Sequence, residues 1–194
     1  AGIAGVRVQL VPVENIEQHW RHLADADAII FGTPTYMGSV SAPFKAFMDK
    51  SSKAWAGQQW KDKIAAGFTN SASQSGDKLN TLIQLAVFAA QHGMHWINLG
   101  LLPGNNSSQG SPEDLNRLGS YLGAMAQSNS DAAPEIAPTS SDLRTAAHLG
   151  RRVVVVVAEA RRQVGLLHRE PVDEQLAAPD LDQVARQRHH ALHE

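Results

Sequence analysis

Two short stretches of small and hydroxyl-bearing residues stand out, Thr33-Pro34-Thr35-Tyr36-Met37-Gly38 and Asn70-Ser71-Ala72-Ser73-Gln74-Ser75-Gly76. Each follows a short apolar run of the kind that forms a buried parallel strand. Backbone N–H groups in such loops approach a flat polar ligand closely, because little side-chain bulk intervenes. Tyr36 and Met37 add a stacking surface, and Trp55 lies one short helix beyond. A planar heteroaromatic ligand suits this set better than a sugar or a metal ion. Ordinary tight turns would use the same residues, so local evidence leaves both readings open.

Other chemistries find little support. None of the nine histidines pairs with another at i, i+4 on a well-patterned helix with an acidic base, as a zinc site would need. His92 and His95 straddle a helix end and a strand start, and His92 is most simply a charge-compatible cap. His189, His190 and His193 sit in a poorly patterned tail. There is no G-x-S-x-G elbow and no nucleotide-triphosphate loop. Asp25 and Asp27 are most simply the solvated entrance of a strand. With no side-chain nucleophile and no committed acid–base pair, an enzyme built on this chain would leave the difficult chemistry to a cofactor.

The elements that position the loops follow from periodicity. Val6 to Val11 alternates apolar and polar residues and predicts a strand near a sheet edge. Ala24 to Gly32 predicts a second strand, delivering the first loop. Ser41 and Pro43 open a helix through Lys50, with Phe44, Phe47 and Met48 on one face. Lys63 to Thr69 predicts a third strand, Asp77 to His92 an amphipathic helix ended by Gly93, and Met94 to Leu99 a fourth strand. Alternation of this kind predicts a parallel sheet with helices on both faces. Residues 100 to 140, rich in Gly, Ser, Asn and Pro, form an insertion of functional or interface type. A helix begins near Ser141. The run Val153 to Val157 favours a strand by propensity and a helix by its flanks, and context favours the helix. The expected organisation is one domain over residues 1–160 and a poorly patterned tail over 161–194.

Composition narrows the class. The chain has 194 residues, 43% hydrophobic and 19% charged, with 17 basic against 19 acidic side chains and a formal charge of -2. That is globular composition without the basic field of a nucleic-acid or anionic-membrane binder. No cysteine is present, which excludes disulfides, thiol catalysis and thiolate metal sites. No apolar run approaches the ~20 residues needed to cross a bilayer, and the expected location is the cytoplasm.

Taken in order, Phe31 to Ala42, Phe68 to Gly76, Gln91-His92-Gly93-Met94 and Gly119-Ser120-Tyr121-Leu122-Gly123 resemble the flavodoxin-like WrbA family of NAD(P)H:quinone oxidoreductases. The match spans about residues 1–152, and its specificity lies in the combination. The resemblance implies an α/β, flavodoxin-like, doubly wound parallel sheet of strand order 2-1-3-4-5, with FMN at the switch point. On this match Val6 to Val11 is the second strand, and the first strand with its phosphate loop is missing from the chain. The resemblance further implies that Pro34, Thr35, Tyr36, Met37 and Gly38 hold the isoalloxazine ring. It implies that Asn70, Ser71, Ala72, Ser73, Gln74 and Ser75 wrap the pyrimidine edge and ribityl chain. Trp55, Gln91, His92 and Tyr121 would line the space where nicotinamide and quinone alternate. A homotetramer, or a homodimer, would complete each pocket.

The activity so implied is two-electron, ping-pong hydride transfer from NADH or NADPH to a quinone, with FMN as cofactor and no catalytic acid or base. A flavodoxin-type electron carrier is the alternative. Carriers dock through strongly acidic surfaces and use no long insertion, whereas this chain is nearly neutral and carries residues 100–140. A third reading is a family member that no longer binds FMN.

Overall fold

The computed structural model describes residues 5–167. Its centre is a sheet of five strands: β1 (Ala28–Tyr36), β2 (Ser39–Val40), β3 (Ile64–Ser71), β4 (His95–Trp96) and β5 (Ala124–Gln127). β3 runs parallel to β1, to β4 and to β5, and β2 folds back antiparallel on the end of β1. β4 pairs with Ile64 and Ala65 at the start of β3, and β5 with Phe68 to Ser71 at its end. The two therefore occupy one strand position, interrupted by the chain between them. Of the order 2-1-3-4-5, the described residues display the run 3-4-5, with its last strand split.

Alternation along the strands assigns two faces. Ile29, Phe31 and Ala65 point to a core shared with α2 (Ala42–Lys50), α3 (Ser52–Ala56) and α4 (Lys78–Gln91). Aromatic rings dominate that core: Phe31 lies edge-on to Phe44 at 6.2 Å, and Phe47 stacks on Trp60 at 6.2 Å. Ile64, Ala66 and Ala124 point the other way, onto Leu149 and Val153 of α5 (Ser140–Leu167). Helices cover both faces, which is the doubly wound arrangement.

The valine run lies within α5. Leu149, Val153, Val156 and Val157 recur at helical spacing against the sheet, while Val155 faces outward. Burial of one stripe outweighs the modest helix penalty of β-branching. The compact unit extends to Val157, and a second begins at Ala158. Within the second, Glu159 pairs with Arg162 and accepts from Gln163. The tail beyond residue 167, with His189, His190 and His193, lies outside the described residues.

Three expectations need correction. Val6 to Val11 is not a strand; Val8 and Leu10 are exposed, and the chain passes into a 3-10 turn (Val13–Gln18) and α1 (Trp20–Asp25). Alternation makes a strand only where a sheet edge accepts it, and no described strand pairs with this segment. The strand expected over Met94 to Leu99 shrinks to His95–Trp96, because Leu99 turns its N–H to the Tyr121 carbonyl and Gly100 takes φ +65°. The insertion over residues 100–140, expected as a functional or interface loop without a strand of its own, contains β5.

Candidate functional site

β1 and β3 end side by side, with Thr33 opposite Thr69 and Pro34 opposite Asn70. The two loops singled out in the sequence thus open at neighbouring strand ends, on the carboxyl edge where open α/β sheets receive ligands.

The first loop is tighter than expected. β1 continues to Tyr36 and turns through Met37 (φ +48°) and Gly38 (φ +74°) into β2. Two consecutive positive φ angles are the signature of a two-residue hairpin turn matched to strand twist. The Thr35 hydroxyl donates to Thr81 Oγ1 and accepts from Thr69 Oγ1, each at 2.8 Å. Thr33 is likewise occupied, donating to Ser41 Oγ at 3.2 Å. What these residues offer outward is backbone, together with the exposed Pro34 and the rings and chain beside it: Tyr36 is 67% and Met37 101% exposed.

In the second loop the peptide groups are sorted by direction. The Ala72 carbonyl accepts from Gln127 Nε2 at 2.9 Å, and the Ser73 carbonyl from Ser71 Oγ and Lys78 Nζ. The Gln74 carbonyl accepts from Lys78 Nζ at 2.9 Å, and the Ser75 carbonyl from the Lys78 N–H at 3.1 Å. Four successive carbonyls are held by the protein. Among the described residues, the N–H groups from Ala72 to Asp77 have no protein acceptor. A row of unpaired, outward N–H groups is a cradle for carbonyl, ring-nitrogen or anionic acceptors. Gly76 makes the bend possible: its φ is +53°, and a Cβ there would stand 2.4 Å from Ser71 Oγ. Asn70 braces the base of the loop by donating to Ser128 Oγ at 3.0 Å.

One helix end serves both loops. From α4, Asn80 Nδ2 donates to the Gly38 carbonyl at 2.7 Å, Gln84 accepts from Ser39 Oγ at 2.9 Å, Thr81 holds Thr35, and Lys78 holds the second loop. Lys78 is fully buried, and that burial lowers its pKa; Asp142 counteracts the shift and Arg117 adds to it. Asp142, in the first turn of α5, is gripped by Arg117 at 2.8 and 2.7 Å and by the Gln127 N–H at 2.9 Å. A carboxylate at a helix N-terminus is also favoured by the helix dipole. None of Lys78, Asn80, Thr81, Gln84, Gln127, Asp142 and Arg117 was expected at the site. The signal was present in part: Lys78 and Thr81 sit on the otherwise apolar buried stripe of α4.

The remaining expected residues do not join this cluster within one chain. Trp55, 48% exposed, sits on α3 in the connection leading to the start of β3. Gln91 is exposed at the far end of α4, about 20 Å from Lys78 at 1.5 Å per residue. Tyr121 is exposed on an open groove with Asn98, Leu101 and Leu102, on the outer edge where β4 gives way to β5.

His92 is a core residue. It is buried against Trp60 at 4.2 Å and Phe88 at 4.8 Å, with Nε2 2.9 Å from Ser51 Oγ. The Ser51 hydroxyl donates to the Met48 carbonyl at 2.6 Å, so the imidazole must donate to it from Nε2. Nδ1 is then a bare acceptor without a partner. A proton there would be buried with nothing to receive it, and burial pushes the pKa down to about 4. Among the described residues, no group of acidic or histidine side chains is arranged to hold a metal.

Residues 10–108 match the NADPH-dependent FMN reductase family. The chain belongs to that family. Among its relatives, a protein named flavodoxin FldP from Pseudomonas aeruginosa is 46% identical over 79% of this chain and 84% of its own length. An NAD(P)H dehydrogenase (quinone) from Archaeoglobus fulgidus is 35% identical over 69% of this chain; the match spans 61% of that relative. A solved flavodoxin, WrbA-like protein from Agrobacterium tumefaciens superposes with a TM-score of 0.56 at 44% identity, covering 74% of this chain and 73% of that one. Membership in the FMN reductase family makes the chain a flavodoxin-like, FMN-dependent NAD(P)H oxidoreductase. The site fits that cofactor: the outward N–H row suits the carbonyl- and nitrogen-rich edge of a flavin, and Tyr36 and Met37 offer apolar surface to its ring.

Proposed function

We propose that this FMN reductase family member binds FMN across the ends of β1 and β3 and passes hydride from NAD(P)H to quinones. The observation that carries the reading is the loop from Ala72 to Asp77, whose carbonyls are turned inward and whose N–H groups are free beside Tyr36 and Met37. Bound FMN supplies the hydride-accepting and hydride-donating chemistry. The protein's own work is to bind, orient and exclude. Backbone at Pro34, Thr35, Tyr36, Met37 and Gly38 borders the ring, and the N–H groups of Ala72, Ser73, Gln74 and Ser75 meet its polar edge. Such preorganised donors stabilise negative charge without reorganising when it appears. Asn70 and Ser71 support the loop from below.

Trp55, Gln91 and Tyr121 lie away from this edge, and one subunit cannot bring Trp55 or Gln91 to its own ring. The reading therefore includes an oligomer, a tetramer or a dimer, in which another copy's exposed Trp55 closes the space above the ring. His92 contributes by holding that end of the subunit together. No described helix is long and apolar enough to cross a membrane, and we place the protein in the cytoplasm. The name of the FldP relative favours one second reading, an electron carrier reduced by a partner protein.

The test is to mix the chain with FMN, remove the excess by gel filtration, and follow NAD(P)H consumption with a benzoquinone. Flavin retained in an oligomer-sized peak with quinone-dependent turnover is expected; a colourless peak overturns the reading. In the same assay W55A should lower kcat/KM for quinone by about tenfold while retaining flavin, because a wall of the site and not the cradle is lost.

A further inference from the structure

The first turn of a helix is an adverse place for a buried cation, since the macrodipole places positive charge there already. Lys78 stands in that turn, fully buried. Its ammonium reaches back to the carbonyls of Ser73 and Gln74, and its own N–H takes the carbonyl of Ser75. One residue thus fixes three successive peptide units. Each carbonyl turned towards Lys78 forces the N–H of the following residue, at Gln74, Ser75 and Gly76, towards the open side. The charges facing it are Asp142 on α5, which favours the ammonium, and Arg117, which opposes it. Arg117 is itself neutralised by its two bonds to Asp142, leaving one net positive charge behind the loop.

We propose that Lys78 is the positioning residue of this site: by clamping the carbonyls of Ser73 and Gln74 it turns the loop's N–H groups outward to receive the acceptor edge of the ligand. The role is distinct from contact with the ligand, because the ammonium is covered by the loop it holds. It rests on the FMN reading for the identity of the ligand, and on the geometry alone for the clamp.

Two variants and two readouts test it. In the FMN-free chain, the backbone amide NMR signals of residues 72–77 should form an ordered set that moves together as Lys78 loses its proton, at a pH below the ordinary lysine value of 10.5. In K78M, which keeps the length and removes the donors, those signals should broaden and lose that titration while the rest of the spectrum is retained. Quenching of free FMN fluorescence should show K78M binding about tenfold more weakly or worse, the scale of losing hydrogen bonds from a charged donor, with K78R closer to the parent. Unchanged order of residues 72–77 in K78M overturns the clamp. A loosened loop with unchanged FMN affinity overturns its part in binding. If the parent chain shows the ordered, titrating loop and K78M loses it, yet neither binds FMN, the clamp stands and the FMN reading falls.

Discussion

The half-buried Thr35 and the buried Lys78 and His92 are three polar residues with different consequences. Thr35 spends its hydroxyl on Thr69 and Thr81, so what it has left to offer a ligand is backbone. His92 stays neutral, and its lowered pKa makes a pH prediction. Between its ordinary value of 6.5 and about 4, the unfolded state binds the proton and the folded state does not. Stability therefore falls as pH drops through that window and levels off below it. The loss amounts to about 3 kcal/mol at ~1.4 kcal/mol per pH unit. Urea denaturation at a series of pH values should show that slope, and H92F should remove it. Gly76 makes a second prediction at this scale. G76A places a Cβ against Ser71 Oγ at a positive φ, and should cost roughly 1–2 kcal/mol of stability and weaken FMN binding measured by fluorescence quenching.

Among the elements, those legible from sequence were the ones whose pattern is local. β1 and β3 are short apolar runs, and α2 and α4 carry one apolar face each. The loops followed, since each is simply what a buried strand delivers. Pairing is what the sequence conceals. Val6 to Val11 has a strand's alternation and no described partner, whereas Ala124–Gln127 has four unremarkable residues and becomes a strand because the end of β3 is there to receive it. The brace behind the site was hidden for the same reason. Lys78, Arg117, Gln127 and Asp142 come from four separate stretches and meet only after folding. Their ionic part is testable: D142N leaves Arg117 buried without its counter-charge and should cost about 3–5 kcal/mol in denaturant unfolding, with weaker FMN retention because the brace behind the second loop is loosened.

For the whole molecule, the organising fact is that the proposed site residues divide between the two ends of the strands. The carboxyl edge holds the N–H cradle, Tyr36 and Met37, and the opposite edge carries Trp55, Gln91 and the buried His92. An activity that needs both sets needs two copies of the chain. Family membership fixes the cofactor and the redox class; on the proposed reading, the separation of the two sets ties that activity to assembly. The most direct measurement is anaerobic rapid mixing of the FMN-loaded chain with NADH or NADPH, followed at the flavin's visible band, and then with a benzoquinone. Bleaching by one of the nicotinamides and full recovery on adding quinone is the predicted result. A flavin that stays oxidised with both nicotinamides, yet is reduced through a redox partner protein, would contradict the account and make the chain an electron carrier.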